Sequence, residues 1–165
     1  MEIRIAGTVN DSITDGPGLR YTVFAQGCRH KCPGCHNPQT HDENGGRLIG
    51  IDALIAEAVK NPLLDGVTIS GGEPFLQRDA LRFLVGRLAE REIDVMVYTG
   101  HTWEELILNP ENMNILEKID YLVDGKFVQS KKSLDLVFRG SSNQRIINVK
   151  KSLAEGKLYI TESFE

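Results

Sequence analysis

The sequence predicts an α/β protein built as an incomplete, splayed parallel βα barrel of about five or six strands. Three observations carry that expectation. Short β-branched segments alternate with amphipathic helical ones, the order that right-handed βαβ units and a parallel sheet require. A complete eight-fold barrel takes about 250 residues, and this chain has 165. Reactive residue types also gather directly after the segments that read as strands, where α/β architectures collect their sites.

In chain order, residues 3–9 alternate enough to form a short strand, and Gly16, Pro17 and Gly18 demand a turn. Tyr21 to Gln26 is β-branched and aromatic, a core strand. Residues 37–47 read as a polar, Gly-rich surface loop. Asp52 is placed to cap a helix carrying Leu54, Ile55, Ala58 and Val59, stopped by Asn61-Pro62. Val67 to Ser70 is a short buried strand ending in Gly71-Gly72-Glu73-Pro74. Leu81, Leu84, Val85 and Leu88 recur with helical spacing, and Ile93 to Tyr98 is the next strand, closed by Thr99-Gly100. Thr102 and Glu105 read as a capping box for a helix through Trp103, Leu106 and Ile107. Ile115, Leu116 and Ile119 extend that helical region beyond Asn109-Pro110. Tyr121 to Asp124, Arg145 to Val149 and Lys157 to Thr161 read as further strands. Without repeats or linkers, residues 1–165 are expected to form a single domain.

The apolar share of 41% fits a globular core, and a net charge of −4 argues against bulk nucleic-acid binding. No apolar run approaches the roughly 20 residues of a membrane span, and the N-terminus has no apolar signal core. The chain is therefore expected in the cytoplasm, whose reducing conditions suit free thiols.

All three cysteines fall in one stretch, Cys28, Cys32 and Cys35, with spacing Cys-x3-Cys-x2-Cys. Three soft thiolates on one loop suit a metal site, and the odd number speaks against a disulfide framework. Three ligands leave one position open, where a metal can bind and activate a substrate. The spacing also allows a structural Cys3His zinc site with His36, His30 or His41 as fourth ligand. Gly71 and Gly72 would expose backbone groups to a ligand, or merely make a tight turn. Asp124 and Lys126 admit a site pair or a solvated turn. Ser141, Ser142, Asn143 and Gln144 are short polar groups suited to hydrogen bonding a ribose or backbone, or to an ordinary turn.

The cysteine spacing resembles that of the radical S-adenosylmethionine (SAM) enzymes. Asp15-Gly16-Pro17-Gly18-x-Arg20 ahead of it resembles the subgroup that activates glycyl-radical enzymes. Val123 to Val128 and Arg139 to Arg145, together with Cys32-Pro33-Gly34-Cys35, resemble the activating proteins of anaerobic (class III) ribonucleotide reductase, and the likeness runs from about Asp15 to Val149.

The resemblance implies a 4Fe-4S cluster on Cys28, Cys32 and Cys35, with SAM chelating the fourth iron. It implies one-electron reduction by a flavodoxin or ferredoxin, cleavage of the S–C5′ bond, and removal of a hydrogen atom from a glycine of the large reductase subunit. SAM contacts are implied at Cys35, His36, Gly71, Gly72, Glu73, Thr99, Asp124, Lys126 and Asn143, with Gly72 and Glu73 toward the amino group. Lys126 would meet the carboxylate, with Asp124 holding that lysine or a monovalent cation. Gly34 departs from the aromatic residue common in such loops, so adenine is expected to meet backbone there or His36. His101 departs from the common Thr-Asn-Gly. An open-sided partial barrel would admit a protein substrate. An activase for another glycyl-radical enzyme, such as pyruvate formate-lyase, and a zinc-stabilised binding module are the alternatives.

Overall fold

In the computed structural model, which describes residues 1–164, one seven-stranded mixed sheet organises the chain. Its strands are β1 (Glu2–Ser12), β2 (Arg20–Ala25), β3 (Arg47–Gly50), β4 (Gly66–Gly71), β5 (Asp94–Tyr98), β6 (Tyr121–Asp124) and β7 (Arg145–Asn148). They lie in the order β3-β1-β2-β4-β5-β6-β7. Only β2, β4, β5 and β6 run parallel; β1, β3 and β7 pair antiparallel.

The expected parallel barrel of five or six strands is thus corrected to a mixed sheet with antiparallel flanks. The reason lies in the connections. Residues 13–19 between β1 and β2 are too few for a crossover, so the two strands form an antiparallel pair. Residues 125–144 between β6 and β7 carry no α-helix to bring the chain back in parallel. The parallel strands do have helical crossovers: α1 (Ile51–Ala58) before β4, α2 (Arg78–Glu90) before β5, and α3 (Trp103–Leu106) with α4 (Pro110–Leu116) before β6. A fifth helix, α5 (Val149–Glu155), follows β7.

Several elements differ in detail from the sequence expectation. β1 is longer than residues 3–9, and β3 emerges where a loop was expected to end. Gly50, not Asp52, is the N-cap of α1; Asp52 sits in its first turn. Thr102 does accept from the Glu105 N–H at 3.2 Å, as a capping residue should. Residues 157–161 make one bridge, Ile147 with Ile160, rather than a strand.

The helices cover one face. α1 buries Ile51, Leu54, Ile55 and Ala58, and α2 buries Leu81, Leu84, Val85 and Leu88, against Val67, Ile69, Val95 and Val97 of the sheet. Each such aliphatic side chain contributes about 2 kcal/mol. On the other face β5 presents Met96, which packs with Val123 and Ile146. That face is otherwise markedly polar. Arg20 is 1% exposed there, donating to Thr68 Oγ1 at 2.8 Å and pairing with Asp94 at 2.7 Å. Burial pushes the Asp94 carboxyl up, and Arg20 opposes that shift.

A candidate metal and cofactor site

Because β2, β4, β5 and β6 are parallel, the segments that follow them emerge at one edge of the sheet. The cysteine loop follows β2, Gly72-Glu73 follows β4, Thr99-Gly100 follows β5, and Gly125-Lys126 follows β6. They surround an open cavity of about 660 Å³.

Backbone bonds hold the cysteine loop. Gly27 N–H donates to Thr40 O at 2.7 Å and Cys28 N–H to His41 O at 3.1 Å. Cys35 N–H reaches Cys32 O at 3.1 Å across Pro33-Gly34, with Gly34 at φ +73°. Proline followed by a positive-φ glycine is what such a turn favours. Cys28, Cys32 and Cys35 are free, half-buried, and all line the cavity. The Asn37 N–H donates to Cys35 Sγ at 3.4 Å. The Cys28 thiol is pushed up, by burial above all, with Glu73 and the other two thiols adding to it.

His36, Gly71, Gly72, Thr99 and Lys126 line the same cavity. A Cβ on Gly72 would stand 2.4 Å from Gly27 O, so the loop after β4 lies directly against the cysteine loop. Gly71, at φ +93°, would place a Cβ 2.5 Å from Ala25 N. These glycines allow two backbones to touch beside the cavity.

Gly34, Glu73, Asp124 and Asn143 do not line the cavity. Gly34 lies against Gln129, whose side chain would stand 2.9 Å from a Cβ there, so an aromatic residue could not occupy the position without displacing it. Aromatic surface comes instead from Phe127 and His36, both cavity-lining, with ring centroids 4.8 Å apart. Glu73 is 3% exposed and already accepts from His30 Nε2, Thr99 Oγ1 and the backbone N–H groups of Gly100 and Phe75. Its carboxylate ties the three loops together. Asp124 is 1% exposed, and its carboxylate is engaged by Trp103 N–H and by Arg145 rather than by Lys126. Asn143 accepts from Ser141 Oγ at 2.6 Å and donates to Lys126 O at 2.8 Å, buttressing the turn that carries Lys126.

Other lining residues were not singled out as contacts, among them Tyr98, Phe127, Phe138 and Arg139, although Phe127 and Arg139 fall in the stretches that carry the resemblance. Gln144 also reaches the cavity, where the sequence had favoured its neighbour Asn143.

The donor set fits an iron–sulfur cluster with one unfilled position. Three thiols line one cavity; of the histidines near them, His30 is engaged by Glu73 at 2.7 Å, while His36 lies with its ring against Phe127. A zinc site would need one of these rings or His41 turned toward the sulfurs.

Comparison with known proteins agrees with this chemistry. The family described as "4Fe-4S single cluster domain" matches residues 14–147. Anaerobic ribonucleoside-triphosphate reductase-activating proteins align over most of the chain. That of Escherichia coli K12 is 39% identical over 142 residues, covering 80% of this chain and 90% of the relative. The chain belongs to the anaerobic ribonucleoside-triphosphate reductase-activating protein family. Other members include those of Haemophilus influenzae, 35% identical over 144 residues (81% of this chain, 90% of the relative), and phage T4, 31% over 138 residues (80% and 85%). Membership is consistent with the enzyme's site lying on the 4Fe-4S segment, since residues 14–147 include every lining residue named above. Among solved structures, QueE from Escherichia coli shares the fold, with a TM-score of 0.52 at 18% identity, covering 62% of this chain and about half (54%) of that one. Among the described residues, no helix is long and apolar enough to cross a membrane.

Proposed function

We propose that residues 1–165 form one radical SAM domain that cleaves SAM reductively at a 4Fe-4S cluster on Cys28, Cys32 and Cys35. It then takes a hydrogen atom from a glycine of anaerobic ribonucleotide reductase, leaving a glycyl radical on that subunit. One observation carries the reading: three free thiols share a cavity with Gly71, Gly72 and Lys126. The names of the related activating proteins supply the reductase as the partner.

A cluster held by Cys28, Cys32 and Cys35 would supply the one-electron chemistry that cleaves SAM. The chain's own residues orient the reactants. Gly71 and Gly72 offer backbone to the amino group, with no Cβ in the way. Lys126 provides a cation for the carboxylate, and His36 with Phe127 provides ring surface for adenine. Holding SAM through these groups would lower the positional entropy cost of its reaction. The cavity is open at its mouth, which suits a glycine presented on a loop of a second protein. Electrons come from a flavodoxin or ferredoxin-type donor, and the cytoplasm keeps the three thiols reduced.

The test is electron paramagnetic resonance on anaerobically reconstituted, reduced protein, with and without SAM, then with the reductase. The expected result is a 4Fe-4S signal that changes on adding SAM, followed by a glycyl radical on the reductase. A silent sample holding stoichiometric zinc overturns the reading.

A further inference from the structure

Arg139 lines the cavity shared by Cys28, Cys32 and Cys35. One of its Nη groups donates to Gln144 O at 3.0 Å, while its Nε is buried with no partner among the described residues. Among the described residues, no carboxylate accepts from it. The contrast with the chain's other sheltered guanidiniums is sharp: Arg20 is paired with Asp94, and Arg145 with Asp124 and Glu104. Burying an N–H without an acceptor costs stability, so such a group calls for an explanation.

The backbone beside Arg139 is also strained. Phe138, a bulky residue, sits at φ +55°, where L-residues with large side chains rarely go. Surrounding bonds over-determine this conformation. The Tyr98 hydroxyl donates to Phe138 O at 2.8 Å, and burial pushes that phenol well above its usual range, so it stays a donor. Gln144 Oε1 accepts from Gly140 N–H at 2.9 Å and Ser141 N–H at 3.1 Å, and its Nε2 donates to Gly125 O at 3.0 Å. The segment carrying Arg139 is thereby tied to the turn that carries Lys126. Strain and an orphan donor at one place point to a partner from outside the chain.

We infer that Arg139 binds the carboxylate of the methionyl end of SAM, acting with Lys126 as an anion clamp. This rests on the proposed reading of the cavity as a SAM site. A guanidinium stays charged and offers a planar fork that matches a carboxylate. The carboxylate is the one anionic group SAM carries; ribose hydroxyls or adenine would leave the sheltered charge without a counter-charge. The run from Ser141 to Gln144 then acts as scaffolding for the clamp rather than as a set of ligands.

The test measures equilibrium binding of SAM and of 5′-methylthioadenosine, which keeps the adenosyl group but lacks the amino acid, to cluster-loaded full-length protein. Arg139→Gln is expected to weaken SAM about tenfold to hundredfold, as loss of a charged hydrogen bond should. Its affinity for 5′-methylthioadenosine and its melting temperature should hold. Arg139→Lys, which keeps the charge and loses the fork, should give a smaller loss and covers the case in which the Gln variant folds poorly. Unchanged SAM affinity in both variants, or an equal fall for both ligands, overturns the inference while leaving the SAM site standing. Wild-type protein that binds neither ligand overturns the SAM reading itself, and the clamp with it.

Discussion

His30 Nε2 lies 2.7 Å from Glu73 Oε1, so the cysteine loop is fastened to the segment that follows β4. The same carboxylate accepts from Thr99 Oγ1 at 2.9 Å and Gly100 N–H at 2.8 Å, which brings in the end of β5. One buried side chain thus joins three strand ends. Replacing Glu73 with Ala strands these donors, at an expected cost of about 3 kcal/mol. The melting temperature of cluster-free protein should fall by roughly 6–12 °C for a chain of this size. Were Glu73 only a cofactor ligand, cluster-free protein would melt unchanged.

Arg145 plays the corresponding part for β6. It bonds Asp124 through Nε at 3.0 Å and through Nη2, and reaches Glu104 at 2.7 Å. Arg145→Ala leaves a buried carboxylate with one backbone partner, Trp103 N–H, and should destabilise by about 3–5 kcal/mol. The midpoint of urea unfolding reads this directly. The guanidinium also holds Glu104 below the usual carboxylate range. Its contribution is therefore full at neutral pH and fades as pH falls through that lowered value. Because Glu104 is largely exposed, Glu104→Gln should cost much less than Arg145→Ala.

The glycines divide by what surrounds them. Gly72→Ala must push the Gly27 carbonyl away and should cost about 1–3 kcal/mol while lowering iron content after reconstitution. Gly86, inside α2, meets nothing within 4 Å, so Gly86→Ala should stabilise by about 0.5–1 kcal/mol. Chemical denaturation of both variants checks the pair. Equal effects would mean that close backbone approach at Gly72 is not what excludes a side chain.

Local features of this fold were legible in the sequence, and those set by distant partners were not. The cysteine spacing, the period of Leu81 to Leu88 and the glycines after β4 each declare themselves within a few residues. The antiparallel flanks depend on which strands find each other: β3 pairs with β1, some 45 residues away, and nothing in Arg47 to Gly50 states that partner. Glu73 and Asp124 look like ligands in a linear reading because an unpaired carboxylate and a satisfied one are written alike. Only the fold brings His30 and Thr99 to the first and Arg145 to the second. Arg139 opens a stretch that carries the family resemblance, yet nothing local marks the role of its side chain. It sits in an irregular stretch after a residue in left-handed conformation, with no periodicity to mark the direction of its side chain.

Cys28 sets the pH response of cluster loading. Burial is the main cause that pushes its thiol up, followed by the repulsion of Glu73 and the two other thiols against a pull from the His30 backbone. In cluster-free protein the group therefore holds its proton at neutral pH. Iron binds the thiolate, so loading must release that proton. Loading should strengthen as pH rises toward the raised value and weaken as pH falls. Titrating anaerobic reconstitution across pH, with iron content and proton release followed together in two buffers of different ionisation enthalpy, measures both. Cys28→Ala should abolish the proton released by this residue along with cluster retention. Loading that stays constant from mildly acid to alkaline pH would show that Cys28 is already a thiolate before iron arrives.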